Sequence, residues 1–296
     1  MTILHVPAVE VVRRGGATPL FPTAVLESSR TAHWDGMALQ MSRLVPCVVP
    51  DHAHPTHVLH LIAEGTARGT AVVDGRTYAD PRTPGTVMLV PRGTHDRTVF
   101  HDTFTIISLA LHPELLTRAV PDAERDIELR FQWSLSDRQL TSVLCALHAD
   151  LEGGAPAGRL FGESLGAALA VYLARRYATD PVKAVRLRGG LPTYRLRQVL
   201  DYIATHVDRD LSLGDLAGVA GLSPHYFAEL FRQRTGKTPY RYVLERRIEH
   251  AKQLMRDRRR TLFDVARLSG FKDQGHFGRV FRQVVGTTPS TYRSGL

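Results

Sequence analysis

Residues 213–242 read LGDLAGVAGLSPHYFAELFRQRTGKTPYRY, and residues 263–292 read FDVARLSGFKDQGHFGRVFRQVVGTTPSTY. The second stretch is the first written again. Ala217 aligns with Ala266 and Gly221 with Gly270 at an offset of 49. Phe227 aligns with Phe277, Phe231 with Phe281, Arg232-Gln233 with Arg282-Gln283, Gly236 with Gly286 and Thr238-Pro239 with Thr288-Pro289, all at 50. An internal repeat fixes the architecture of its region before any other signal does. Ser212 reads as an N-cap, with Asp215 three residues on as its capping-box partner. The short helix that follows stops at Gly221; Ser223-Pro224 opens the next one, and Gly236 closes it. Helix, glycine turn, helix is the helix-turn-helix unit, expected here twice, over 212–235 and 261–285.

The second helix of each unit decides recognition. Phe227, Leu230 and Phe231 recur at i, i+3 and i+4 and face the core, which leaves His225, Ala228, Glu229 and Arg232 outward. In the second copy Phe277, Val280, Phe281 and Val284 are expected inside, and Gln274, Gly275, Gly278, Arg279 and Arg282 outside. The outward face of such a helix enters the major groove. Arg279 suits the two acceptors of a guanine, Gln274 those of an adenine, and Glu229 the amino group of a cytosine. The small residues allow close approach. All nine are candidate DNA contacts; the plainer alternative is a solvated helix face. Between the copies Thr238-Pro239 caps a long helix running to about Asp257, a rod of about 28 Å at 1.5 Å per residue. Such a rod suits two recognition helices about one DNA turn apart. The RDRRR run at 256–260 can lie on phosphates, or simply complement the helix C-terminus.

Charge follows the repeat. The chain carries 38 Lys and Arg against 29 Asp and Glu; from Leu191 onward the counts are 19 and 10, so the first 190 residues balance at 19 each. The whole excess of +9 lies in the last third, the distribution expected when one part meets a polyanion.

The final hundred residues resemble the DNA-binding domain of AraC/XylS-family bacterial transcription regulators. The resemblance rests on AGLSPHYFAELFRQRTGKTPYRY, on RRIEHAKQLM and on DVARLSGFKDQGHFGRVFRQVVGTTPSTYR. It implies two helix-turn-helix subdomains joined by a linker helix, promoter duplex DNA and RNA polymerase as partners, and a cytoplasmic protein working at the nucleoid as activator or repressor.

Residues 1 to about 110 read as short strands, with apolar runs at 58–62, 71–73, 86–90 and 104–107. Turn signals punctuate them, among them Asp74-Gly75, a strong hairpin signal. From Ser136 the pattern turns helical, with Leu140, Val143, Leu144, Leu147 and Leu151, a break at Gly153-Gly154-Ala155-Pro156, then Leu160, Phe161, Leu165, Leu169, Tyr172 and Leu173. The wide stripe on the second helix points to a homodimer, the alternative being use within the monomer. Thus the expected class is α+β: a β-barrel with a helical pair over 1–178, a linker over 179–192 containing Gly189-Gly190, and an all-α domain over 193–296.

Gly85-TVMLV-Pro91-Arg92-Gly93-Thr94-His95 resembles the second motif of cupin barrels, and Asp51-His52-Ala53-His54 falls where the first would be. That resemblance implies an effector-binding and dimerisation barrel. His52, His54 and His95 are the metal candidates it suggests, but the carboxylate of the pattern is missing, with Val58 and Leu59 in its place, and no cofactor is expected. Trp34, Tyr78, Arg92 and His95 are the expected lining for a small-molecule effector. The alternative is a metal-dependent cupin enzyme fused to a DNA-binding domain. No nucleophile–base set, P-loop or dinucleotide fingerprint favours an enzyme. No apolar run reaches membrane-spanning length, and no secretory leader is expected from MTILHVPAVEVVRRGG. Cys47 and Cys145 read as two core thiols in a reducing compartment.

Overall fold

The computed structural model describes residues 6, 8–13, 16–21, 25–29, 32–119, 127–180 and 191–296. The chain forms two compact units, and Gly153–Ser164 groups with the C-terminal one. Residues 181–190 of the expected linker, with both of its glycines, lie outside the described residues.

Among the described residues the first unit holds twelve strands: β1 (Glu10–Arg13), β2 (Gly16–Pro19), β3 (Val25–Ser28), β4 (Met37–Leu44), β5 (Cys47–Ala53), β6 (His57–Gly65), β7 (Gly69–Val73), β8 (Arg76–Tyr78), β9 (Val87–Val90), β10 (His95–Phe100), β11 (Phe104–Leu111) and β12 (Gln132–Leu135). They pair in two antiparallel six-stranded sheets, ordered β2-β1-β5-β10-β7-β8 and β12-β9-β6-β11-β4-β3. The expected barrel is thus built from two separate sheets. Val11, Val49 and Phe100 from one sheet and Val58, Ile62, Val90 and Ile106 from the other share one core. The β7–β8 hairpin turns at Asp74 (φ 45°) and Gly75 (φ 78°). Two consecutive left-handed residues match the twist of a two-residue hairpin, which is why the Asp-Gly signal works.

Three helices accompany the sheets: α1 (Pro113–Ala119), α2 (Arg138–Glu152) and α3 (Arg159–Tyr177). Asp137 caps α2, accepting from the backbone N–H of Gln139 and Leu140, while the Tyr172 and Tyr177 hydroxyls donate to its other oxygen. Cys145 faces solvent on α2 and Cys47 is half-buried, so the expected pair of core thiols is corrected; the inward positions of α2 belong to Leu140, Leu144 and Leu147.

The C-terminal unit is helical: α4 (Thr193–Thr205), α5 (Leu213–Ala220), α6 (Pro224–Thr235), α7 (Pro239–Met255), α8 (Leu262–Leu268), α9 (Gln274–Val285) and α10 (Pro289–Ser294). Its boundaries follow from caps. Ser212 and Asp215 form a capping box on α5, and Thr261 and Asp264 form the same box on α8. Gly221, Gly236 and Gly286 close their helices in the left-handed conformation. No helix among the described residues is long and apolar enough to cross a membrane.

Candidate functional site

The two helix-turn-helix units are α5–α6 and α8–α9. Each recognition helix is anchored by an aromatic pair: Phe227 and Phe231 in one, Phe277 and Phe281 in the other, all four with no exposed surface. Leu230 and Val280 are also buried, while Val284 is only half-buried near the frayed end of its helix. On the other side of α9, Gln274, Gly275, Arg279 and Arg282 are exposed and Gly278 half-exposed. On α6, Arg232 is exposed, whereas His225, Ala228 and Glu229 are half-buried. Glu229 also accepts a hydrogen bond from the Gln233 amide. Both helices begin with their first N–H groups capped by a side chain, Ser223 and Asp273. The linker helix α7 has 17 residues, about 26 Å.

Arg247 on α7 is a functional residue that charge counting misassigns. It is 7% exposed, and its guanidinium donates to the carbonyls of Val207 (3.1 Å) and Arg209 (2.7 Å). Burial pushes it below the usual arginine range. Next to it lies Gly270 (φ +82°), where an added Cβ would stand 2.5 Å from the Val207 carbonyl oxygen and 2.8 Å from Arg247 Nε. One arginine and one glycine therefore join the end of α4, the linker helix and the second helix-turn-helix.

Between the sheets of the first unit lies a cavity of about 20 Å³ whose polar lining is His52, His54, His60, Arg82, Asp96 and Thr98. Trp34, Tyr78, Arg92 and His95 are not in its lining. Tyr78 stacks on Trp133 and meets Phe131 at a tilt. Arg92 reaches Glu128 at 2.8 Å on the surface. Trp34 is buried elsewhere, and His95 points to solvent. The register along β10 explains the last correction: alternate residues face opposite ways, so Asp96, one position on, is the side chain that turns inward. The carboxylate missing from the motif comes from β10.

His52, His54 and Asp96 bring their ligating atoms within 4.8 Å of one another, and by residue type they suit a divalent cation. In this arrangement two of the three are in direct contact. His52 donates from Nδ1 to the Pro50 carbonyl at 2.8 Å, and its Nε2 stands 2.7 Å from Asp96 Oδ1. Two ligands of one tetrahedral zinc stand about 3.3 Å apart, so this carboxylate is in direct contact with the imidazole. Burial alone would lower the His52 pKa, but the Asp96 hydrogen bond and charge overcome it and raise it. Burial would likewise raise the Asp96 carboxyl, yet the two imidazoles hold it well below the carboxylate range. The pair is a buried imidazole–carboxylate contact. His60, whose Nδ1 is 2.9 Å from Ser108 Oγ, is pushed down to about 3 by burial and by its cationic neighbours.

Along the chain, two antiparallel sheets are followed by a doubled helix-turn-helix. A model of the AraC-like ligand binding domain matches residues 47–170, and a helix-turn-helix domain model matches 216–295. SoxS of Salmonella typhimurium is 34% identical over 101 residues, covering 34% of this chain and 94% of that protein. The activator RhaS of Enterobacter sp. (strain 638) is 26% identical over 268 residues, 86% of this chain and 90% of that one. The probable regulator LumQ of Photobacterium leiognathi is 40% identical over 101 residues, 33% of this chain. The chain spans about two fifths of the length of the first two curated relatives it matches, 41% and 39%. The chain belongs to the AraC family of transcription regulators. Those matches favour the regulator over a cupin enzyme fused to a DNA-binding domain.

Proposed function

We propose that this protein is a sequence-specific transcription regulator without enzymatic activity, which binds promoter duplex DNA through both helix-turn-helix units under control of a small molecule held between the N-terminal sheets. The observation that carries it is the doubled recognition helix, each copy locked by two fully buried phenylalanines, with Arg232 on α6 and Gln274, Arg279 and Arg282 on α9 exposed. Gln274 and Arg279 read bases; His225, Ala228, Glu229, Arg232, Gly275, Gly278 and Arg282 complete the contact surface. The protein acts in the cytoplasm and hands its effect to RNA polymerase.

The working form is a homodimer. An apolar groove between α2 and α3, lined by Val143, Ala168, Leu169 and Tyr172 with Arg138 and Gln139 at its rim, supports this. Leu160 and Leu173 of the expected stripe are buried within the chain, so the pairing surface is narrower than the sequence pattern suggests.

The test is binding of the full chain to a promoter-library duplex by fluorescence anisotropy across a salt series. Affinity falling steeply with salt supports the reading, because phosphate neutralisation releases counterions. Absence of any salt-dependent duplex binding overturns it.

A further inference from the structure

The cavity between the sheets contains a guanidinium whose hydrogen-bonding capacity the fold leaves largely unused. Arg82 is 3% exposed. Its guanidinium carbon stands 4.2 Å over the Trp133 ring and 5.9 Å over that of Phe100, which fixes the fork between aromatic walls. Among the described residues its one side-chain hydrogen bond goes to Met88 Sδ at 3.5 Å, a weak acceptor, and Nε has no partner. Burial lowers it to about 10, so it stays charged at neutral pH. The carboxylate in the same cavity, Asp96, is in contact with His52 and acts on Arg82 only through space, its charge opposing the effect of burial on the arginine. His54, 2% exposed, has no hydrogen-bond partner on either ring nitrogen, and its Nε2 is 3.8 Å from Asp96, beyond hydrogen-bond reach. A buried cation without a hydrogen-bonded counter-ion is a costly arrangement for a core, and a second cation in the cavity would add to that cost.

We infer that this cavity is an anion site, taking a small monocarboxylate whose two oxygens meet the Arg82 fork, with His54 as a further donor. The planar fork matches a carboxylate bidentately. Size limits the class. A cavity of about 20 Å³ has room for one or two waters or a carboxylate group, far from the roughly 300–1,000 Å³ of a pocket that encloses a drug-sized ligand. The inference rests on the regulator reading above and names the chemistry of its effector.

The test uses the full chain and sodium formate, acetate and propionate against sodium chloride at equal ionic strength. Both tryptophans, Trp34 and Trp133, lie in the N-terminal unit, so the tryptophan-fluorescence melt reports the cavity. The expected result is a saturable upward shift with acetate, at least tenfold weaker apparent binding in Arg82→Lys, and none in Arg82→Met. Without carboxylate, Arg82→Met melts higher than the parent, because a buried charge without a hydrogen-bonded counter-ion is gone. An Arg82→Met protein that melts lower, with no acetate response in the parent, makes the arginine structural and overturns the inference. So does stoichiometric zinc uptake that is lost in His54→Ala, with carboxylates inert. Duplex affinity measured in chloride alone separates the two readings: DNA binding without a carboxylate response removes only this inference, and no DNA binding removes the regulator.

Discussion

Replacing Arg247 with methionine keeps most of the side-chain volume and removes the two hydrogen bonds to the Val207 and Arg209 carbonyls. The Val207 carbonyl is left unsatisfied in the interior, which costs about 1–3 kcal/mol, while the Arg209 carbonyl still accepts from the Leu211 N–H. Relief of the buried guanidinium's desolvation returns part of that, leaving a net loss of about 1–2 kcal/mol. For a domain of this size each kcal/mol lowers the melting temperature by about 4–8 °C, so a drop of at least about 4 °C is expected. The two units can be read apart. Tryptophan fluorescence follows the N-terminal unit, since Trp34 and Trp133 are the chain's two tryptophans, while ellipticity at 222 nm is dominated by the helices of the C-terminal unit. Arg247→Met should lower the ellipticity transition, leave the fluorescence transition in place and weaken binding to all duplexes alike. An unchanged ellipticity transition, or weakened binding to one sequence alone, would refute the view that Arg247 joins the subdomains and would return it to the DNA surface.

Gly270→Ala should destabilise the same transition, because the left-handed φ of +82° and the 2.5 Å approach to the Val207 carbonyl leave no room for a Cβ; a melt within about 1 °C of the parent refutes this. Phe281→Ala should cost about 3–5 kcal/mol in urea unfolding followed by ellipticity, as for other fully buried phenylalanines. Arg279→Ala should relax the preference at one base position, worth about 1–3 kcal/mol, in a binding-site selection, with other positions unchanged. The buried His60 is held down to about 3, below its unfolded value of 6.5. Its contribution to stability is therefore present above pH 6.5 and is lost as the pH falls toward 3, by up to about 1.4 kcal/mol per pH unit. His60→Asn should flatten that slope in the tryptophan-monitored unfolding of the N-terminal unit.

The C-terminal unit was legible because its signals are local. Ser212, Gly221, Ser223-Pro224 and Gly236 each act within four residues, and the structure puts caps or turns at all of them. The phenylalanine spacing names the buried face for the same reason. Arg247 was not legible: a periodic pattern shows that a position faces inward, but only the tertiary approach of the Val207–Arg209 segment provides acceptors for an arginine there. In the β unit strand existence followed from short apolar runs, whereas facing depends on register. A one-residue shift exchanges the two faces of a strand, and it separates the expected His95 from the inward Asp96. Arg82 left no sequence signal, since its partners Trp133 and Phe100 lie 51 and 18 residues away.

Selection of binding sites from random duplexes by the full chain tests the central claim most directly. Two recognition helices joined by a 17-residue rod should recover two short conserved blocks with centres about 10 base pairs apart, and Arg279→Ala should degrade one block while leaving the other intact. A single conserved block, or no enrichment over the starting pool, would contradict the reading of this chain as a regulator that holds DNA with both of its helix-turn-helix units.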